Sequence, residues 1–258
     1  MEDLFSVKDK VIFITGGNRN IGAAVAKRFG ASGAKVVIGN TDKEKAADVL
    51  AYFEQNHYDC LWVRLDVADS KSVKAAFAEI MTKYGRIDIL FNNAGVRVNQ
   101  TGLEHGEAEW DFIFGVNMRG TMLCCQEAAR IMIEQGGGKI INTSSISSVR
   151  GMEMRSSYCA TKGAVNAYTA AAAVEWAKFG IYVNAVAWGG VDVDGTPVEA
   201  MSEGQKATLS MVPLKKLADT DMLFGAVAFL GSRASDGMTG QVLMVDGGWS
   251  IMGKPAKA

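Results

Sequence analysis

Seven short apolar runs, rich in β-branched residues, punctuate the chain: VIFIT (11–15), KVVIGN (35–40), LWVRLDV (61–67), IDILFNNAG (87–95), KIINTSS (139–145), IYVNAVAWG (181–189) and QVLMVDGG (241–248). Each is bounded by glycine or polar residues, which predicts seven strands. Between them lie segments such as IGAAVAKRFGASG and SVKAAFAEIMTKYG, whose apolar residues recur three or four apart and whose glycines fit helix ends. Strand followed by helix, repeated, requires parallel pairing through right-handed crossovers. The pattern therefore predicts an α/β fold, a seven-stranded parallel sheet with helices on both faces.

No linker or repeat interrupts this alternation, and a 258-residue chain can bury a large core, so one domain is expected over residues 1–258. The rhythm breaks once, at about residues 190–220, in a polar stretch with two of the three prolines. Because it follows a strand end, where open α/β sheets bind ligands, it predicts a lid over the substrate rather than a passive insertion. Composition narrows the partners. With 48% hydrophobic residues and a net charge of -1, the chain is neither a disordered polymer nor an electrostatic binder of nucleic acid. The four cysteines, Cys60, Cys124, Cys125 and Cys159, form no CxxC pair, so no metal site is expected and they read as reduced, buried thiols. The opening MEDLFSVKDK is charged, and no run reaches the roughly 18 apolar residues of a spanning helix. A cytoplasmic protein without a membrane segment is expected.

The turn TGGNRNIG, from Thr15 to Gly22, joins the first strand to a helix opening at Ile21 and presents backbone N–H groups to whatever lies above the sheet. Such a turn is an anion site, although alone it equally describes a tight connection. Context favours the anion: the second strand ends in GNTD near residue 40, where nucleotide folds meet an adenosine ribose, and the third in Asp66 and Val67.

Together these features resemble the short-chain dehydrogenase/reductase family. TGxxxGxG is matched at Thr15, Gly16 and Gly22; Asp66 and Val67 follow the third strand; Asn92, Asn93, Ala94 and Gly95 follow the fourth; a serine ends the fifth; and YxxxK appears as Tyr158 and Lys162. The resemblance covers essentially the whole chain. It implies a single Rossmann-type doubly wound domain and hydride transfer between a nicotinamide dinucleotide and a ketone or secondary alcohol. The cofactor-binding residues it implies are Gly16, Asn18, Arg19, Asn20, Ile21, Asn40, Thr41, Asp66, Val67, Asn93, Ala94, Gly95, Tyr158, Lys162, Gly189 and Val191. Three residues depart from the family pattern: Asn20 for the middle glycine, Trp188 for a proline, and Val193 for a threonine at the nicotinamide. Asparagine tolerates positive φ, so the turn can survive, and its amide can donate to a phosphate oxygen. NAD-preferring members carry an acid at the end of the second strand; here the position is Asn40, followed by the hydroxyl of Thr41. Arg19 offers a cation for a 2′-phosphate, so NADP(H) is expected over NAD(H), unless Asp42 restores an acid through a shifted strand end.

Tyr158 and Lys162 are four apart in a segment of helix formers, so both project from one face, where an ammonium would favour the phenolate. A lone YxxxK is usually just helix surface. Ser145 lies 13 residues and Asn117 41 residues before Tyr158, at the family's spacing. The resemblance assigns Ser145 to the substrate oxygen, with Ser144 in support, and Asn117 to a water that passes protons to Lys162. A serine nucleophile would need a histidine, and only His57 and His105 exist, neither near a matching motif. The overhang ISSVRGMEMRSS brings Arg150, Glu153 and Arg155 near the pocket, and Arg97 follows NNAG. These charges suit an anionic or polyhydroxyl substrate, or equally a solvated loop or subunit contact. The opening residues and length are similar to gluconate and other sugar-acid dehydrogenases, while the scaffold equally suits a 3-oxoacyl thioester reductase, or a regulatory protein that binds nucleotide without turnover. The apolar TAAAAVEWAKFG and VDGGWSIM segments imply a homotetramer, with a dimer second.

Overall fold

All seven apolar runs pair into one parallel sheet in a computed structural model that describes residues 3–253. The strands are β1 (Val11–Thr15), β2 (Lys35–Asn40), β3 (Cys60–Arg64), β4 (Ile89–Asn92), β5 (Gly138–Ser145), β6 (Ile181–Trp188) and β7 (Val242–Val245). Their order, β3-β2-β1-β4-β5-β6-β7, reverses between β1 and β4. The crossovers departing from these two strands go opposite ways, which opens a crevice above their C-terminal ends. The described helices are α1 (Asn20–Ala31), α2 (Ala47–Gln55), α3 (Ser70–Tyr84), α4 (Glu107–Phe114), α5 (Thr121–Gln135), α6 (Ser156–Trp176), α7 (Glu203–Met211) and α8 (Thr220–Gly231). None is long and apolar enough to cross a membrane.

Successive strand residues face opposite sides, and each side has its own core. Ile12, Ile14, Val36, Ile38, Phe91 and Val186 pack with Phe29 of α1, Phe53 of α2 and Leu223 of α8. Val11, Phe13, Val37, Val63 and Leu90 pack with Phe77 of α3, Met132 of α5 and Ala172 of α6. The ring of Phe13 meets Phe77 edge-on at 5.2 Å, a geometry that aromatic quadrupoles favour.

Some boundaries differ from the sequence expectation. β3 ends at Arg64, so Asp66 and Val67 occupy the following turn, where the Asp66 carboxylate accepts from the Ala68 N–H at 3.0 Å. α1 begins at Asn20, one residue early. Residues 190–220 are not irregular throughout: Ser202 and Gln205 form a reciprocal capping box that starts α7. Of the four free cysteines only Cys124 and Cys125 are fully buried; Cys60 and Cys159 are half-buried. Met1 and Glu2 of the opening segment lie outside the described residues.

At the base of the sheet β1 and β4 are locked by Asp88, which is 9% exposed. Its carboxylate accepts from the Val11 N–H at 2.9 Å and from Arg86 Nη2 at 2.6 Å. A buried carboxylate is tolerated only with such partners. Asp88→Ala orphans the Val11 N–H and should lower stability by about 2 to 3 kcal/mol, read as a lower urea midpoint with an unchanged slope.

Candidate active site

The turn after β1 is shaped by close backbone approach. Gly16 has φ 65°, and a Cβ on Gly22 would fall on the Gly16 carbonyl, so both positions exclude a side chain. Asn20 adopts φ 46°, the left-handed conformation its residue type was expected to accept. The first turn of α1 has no side-chain cap and no acid, which leaves its N–H groups and positive dipole end facing the crevice. Asn18 is fixed by its amide on the Lys45 carbonyl at 3.3 Å, and Ile21 packs on the first core. Arg19 is exposed, and its guanidinium has no hydrogen-bond or ionic partner among the described residues. A helix N-terminus with uncapped donors beside a free guanidinium fits a dinucleotide's phosphates.

At the adenosine end the structure alters one expectation. The Asn40 amide is engaged: Nδ2 donates to the Asp42 carbonyl, and Oδ1 accepts from the Trp62 indole at 2.7 Å. Asn40 thus braces the loop after β2, leaving Thr41 as its exposed neighbour. The sequence reading missed Trp62 and Lys43, whose ammonium lies 5.6 Å from the Trp62 ring centroid. Lys43 was visible as a charge in TDKEK; Trp62 enters only through the pairing of β2 with β3. Across the crevice, Asn93 donates from Nδ2 to the Thr15 and Gly16 carbonyls, both at 3.1 Å. Its side chain therefore ties β4 to the phosphate turn. Ala94 donates its N–H to Thr15 Oγ1 at 2.9 Å, and Gly95 leaves space where a Cβ would sit 3.4 Å from Asn117 Oδ1.

β5 ends in Ser145, and the N-terminal half of α6 brings Tyr158 and Lys162 over it. The Ser145 hydroxyl is near enough to the Tyr158 hydroxyl to draw its pKa down, and it caps the following turn by accepting from the Ser147 N–H at 3.1 Å. Lys162 donates to the Thr143 carbonyl at 2.7 Å, with its ammonium 5.6 Å from the Tyr158 ring centroid. Asn117 lies in a π-helical turn, Gly115–Gly120, and its amide is spent on the Val96 N–H, the Val96 carbonyl and Thr161 Oγ1. Thr161, which the sequence reading passed over, in turn donates to the Tyr158 carbonyl at 2.8 Å. Ser144 does not support Ser145; its hydroxyl donates to Asn166 on α6 at 2.6 Å. Neither histidine joins the group: His57 follows α2 at φ 56°, and His105 contacts Gln100 Oε1 at 3.0 Å. No cluster of metal-ligating side chains occurs among the described residues.

The electrostatics correct the simple picture of a lysine acidifying its tyrosine. Burial pushes the Tyr158 hydroxyl above the ordinary phenol value, and the groups pulling it back are Ser145, Arg97 and Arg155. Lys162 is fully buried, and burial lowers its ammonium to about 8.

The segment after β6 meets the site through a third cluster in which Met201, Val212 and Leu217 pack with Ile146 and Trp249. Val191 pairs with Ala218, yet the bridging bonds use Asp192 and Gly190, so Val191's own N–H and C=O remain open at the end of the crevice. Gly189 donates to the Val245 carbonyl at 3.1 Å. Trp188 is 4% exposed and packs in the first core; its Nε1 has no partner among the described residues.

The depressed lysine has a measurable signature. Between about pH 8 and the ordinary 10.5, the unfolded chain holds the Lys162 proton and the folded chain does not, so stability rises with pH across that window. Below it both states are protonated and the full burial cost is present. Wild type should therefore gain on Lys162→Met as pH rises through this window in paired urea titrations, and a pH-independent difference would contradict the burial.

Comparison with known proteins agrees with this geometry. A family model described as Enoyl-(Acyl carrier protein) reductase matches residues 16–250. The 2,5-dichloro-2,5-cyclohexadiene-1,4-diol dehydrogenase of Sphingobium indicum is 37% identical, over 94% of this chain and 96% of its own. The 5-keto-D-gluconate 5-reductase of Escherichia coli is 34% identical, over 97% and 99% respectively. A gluconate 5-dehydrogenase from Burkholderia cenocepacia, solved in complex with NADP and tartrate, superposes with a TM-score of 0.89 at 34% identity, covering 97% of this chain and 98% of the other. With its phosphate turn, its Ser145, Tyr158 and Lys162 group and full-length relatives of this kind, the chain belongs to the short-chain dehydrogenase/reductase family.

Proposed function

We propose that this protein catalyses reversible hydride transfer between NADP(H) and a ketone or secondary alcohol, with Asn117, Ser145, Tyr158 and Lys162 as its working group. The observation that carries this reading is the convergence of the Ser145 and Tyr158 hydroxyls at the C-terminal edge of β5, backed by the buried Lys162. When bound, the nicotinamide supplies or accepts the hydride. Ser145 donates a hydrogen bond to the substrate oxygen, and Tyr158 gives that oxygen a proton in reduction and takes one in oxidation. Lys162, anchored on the Thr143 carbonyl, is placed for the ribose hydroxyls and for resupplying the phenol. Asn117, its amide already spent, acts by holding the widened turn against the segment after β4.

Preference for NADP(H) rests on Arg19, without a partner at the phosphate turn, and on the absence of a carboxylate at position 40. The NADP-bound gluconate 5-dehydrogenase supports it. The relatives span a sugar acid and a neutral chlorinated diol, so their names alone do not choose the substrate class. The acyl carrier protein in the description of the matching family model favours a second reading, reduction of the ketone of a 3-oxoacyl thioester. Exposed apolar side chains such as Val174 and Phe179 on the far part of α6 and the turn after it, with Ile251 near the C-terminus, support a homotetramer.

Fluorescence titration of the purified protein tests the cofactor assignment. NADPH should bind at least about tenfold more tightly than NADH, and Arg19→Ala should erase most of that difference, the scale of one charge-assisted contact. Tyr158→Phe should cut ketone turnover by about 100-fold or more with NADPH affinity nearly intact. Failure to bind either cofactor would sink the enzyme reading.

A further inference from the structure

Two guanidinium groups, those of Arg97 and Arg155, act on the Tyr158 hydroxyl, and neither is paired with a carboxylate among the described residues. Arg97 leaves β4 two positions after Gly95; Arg155 sits at the N-cap of α6, just under one turn before Tyr158. The backbone brings these two segments together. Gln100 and Arg155 form an isolated parallel bridge, and the Gln100 N–H donates to the Met154 carbonyl at 3.0 Å. Arg155 is further steadied by Nη1 on the Met152 sulfur at 3.4 Å, which also accepts from Ser147 Oγ at 3.3 Å. Each guanidinium is close enough to feel the other, and both act on the Tyr158 hydroxyl. The other arginine of the overhang is elsewhere: Arg150 donates to the Trp249 carbonyl at 2.5 Å. The nearby acid, Glu153, is exposed and forms no ion pair with either Arg97 or Arg155.

Placing two like charges together, one of them half-buried, costs free energy that an anion between them would return. A guanidinium fork matches a carboxylate in plane and donor spacing. A neutral ketone or diol offers no such group, nor does a thioester carbonyl. Resting on the oxidoreductase reading above, we propose that Arg97 and Arg155 clamp a substrate carboxylate, so that the substrate is a hydroxy or keto acid whose reacting oxygen meets Ser145 and Tyr158. Arg97 and Arg155 are then the residues that select acids over neutral polyols.

The test measures binding to the protein saturated with NADP+, by calorimetry, using three acids and their neutral counterparts: D-gluconate against glucitol, galactonate against galactitol, and tartrate against threitol. At least one acid should bind at least about tenfold more tightly than its polyol. Arg97→Gln and Arg155→Gln should each weaken that acid about tenfold or more, with the polyol affected less, and Arg155→Lys should retain part of the preference. Thermal melting of the variants separates loss of the clamp from loss of the fold. If no acid is preferred, or if the variants weaken acid and polyol equally, the clamp is wrong. Turnover of neutral ketones with NADPH alongside that result would leave the oxidoreductase reading standing. Absence of cofactor binding would overturn both.

Discussion

The seam between β1 and β4 is the constraint on which the site depends. The sheet order reverses there, and a crevice at a reversal is useful only if its two walls are held at fixed separation. At the C-terminal end this is done by one side chain on each strand's exit. Thr15 Oγ1 accepts from the N–H groups of Asn93 and Ala94, while Asn93 reaches back to the carbonyls of Thr15 and Gly16. The phosphate turn and the segment leading to Arg97 are thus one rigid unit. Moving either strand would break several of these part-buried bonds at once.

The same economy governs the reacting group. Burial makes both Tyr158 and Lys162 prefer their neutral forms, so the site opposes charge on each of them. What offsets this for the phenol is the Ser145 hydroxyl, Arg97 from the segment after β4 and Arg155 at the N-cap of α6. The lysine is held instead by a backbone carbonyl of β5. The surroundings that tune the phenol thus come from the sheet edge, the segment after β4 and the start of α6 together, and the YxxxK pair is only part of them.

This division explains what could be read from the sequence. Strands announce themselves because burial on both faces demands continuous apolar runs, and Asn20 could be placed because its residue type has a known tolerance for positive φ. The roles of Asn40 and Ser144 could not. Each side chain was committed to a partner brought by pairing or packing, Trp62 from β3 and Asn166 from α6, and nothing in local sequence reports such commitments. α7 was missed although Ser202 and Gln205 spell a capping box, because the helix buries none of its residues fully and so lacks the apolar stripe that marks helices elsewhere.

That weakly packed helix also bears on how the pocket is kept. Its neighbourhood is held by the small cluster around Met201, Val212, Leu217 and Trp249, while Val191, Val193 and Ala218 of the same segment pack on the first main core. Met152 packs against this cluster, and its sulfur contacts both Ser147 and Arg155. Met152 therefore connects this cluster to the Arg155 guanidinium, and Trp249 connects it to the overhang again through its carbonyl, which accepts from Arg150. The placement of Arg155 and the packing of this cluster are linked through Met152, so the proposed clamp depends on contacts outside its own two segments.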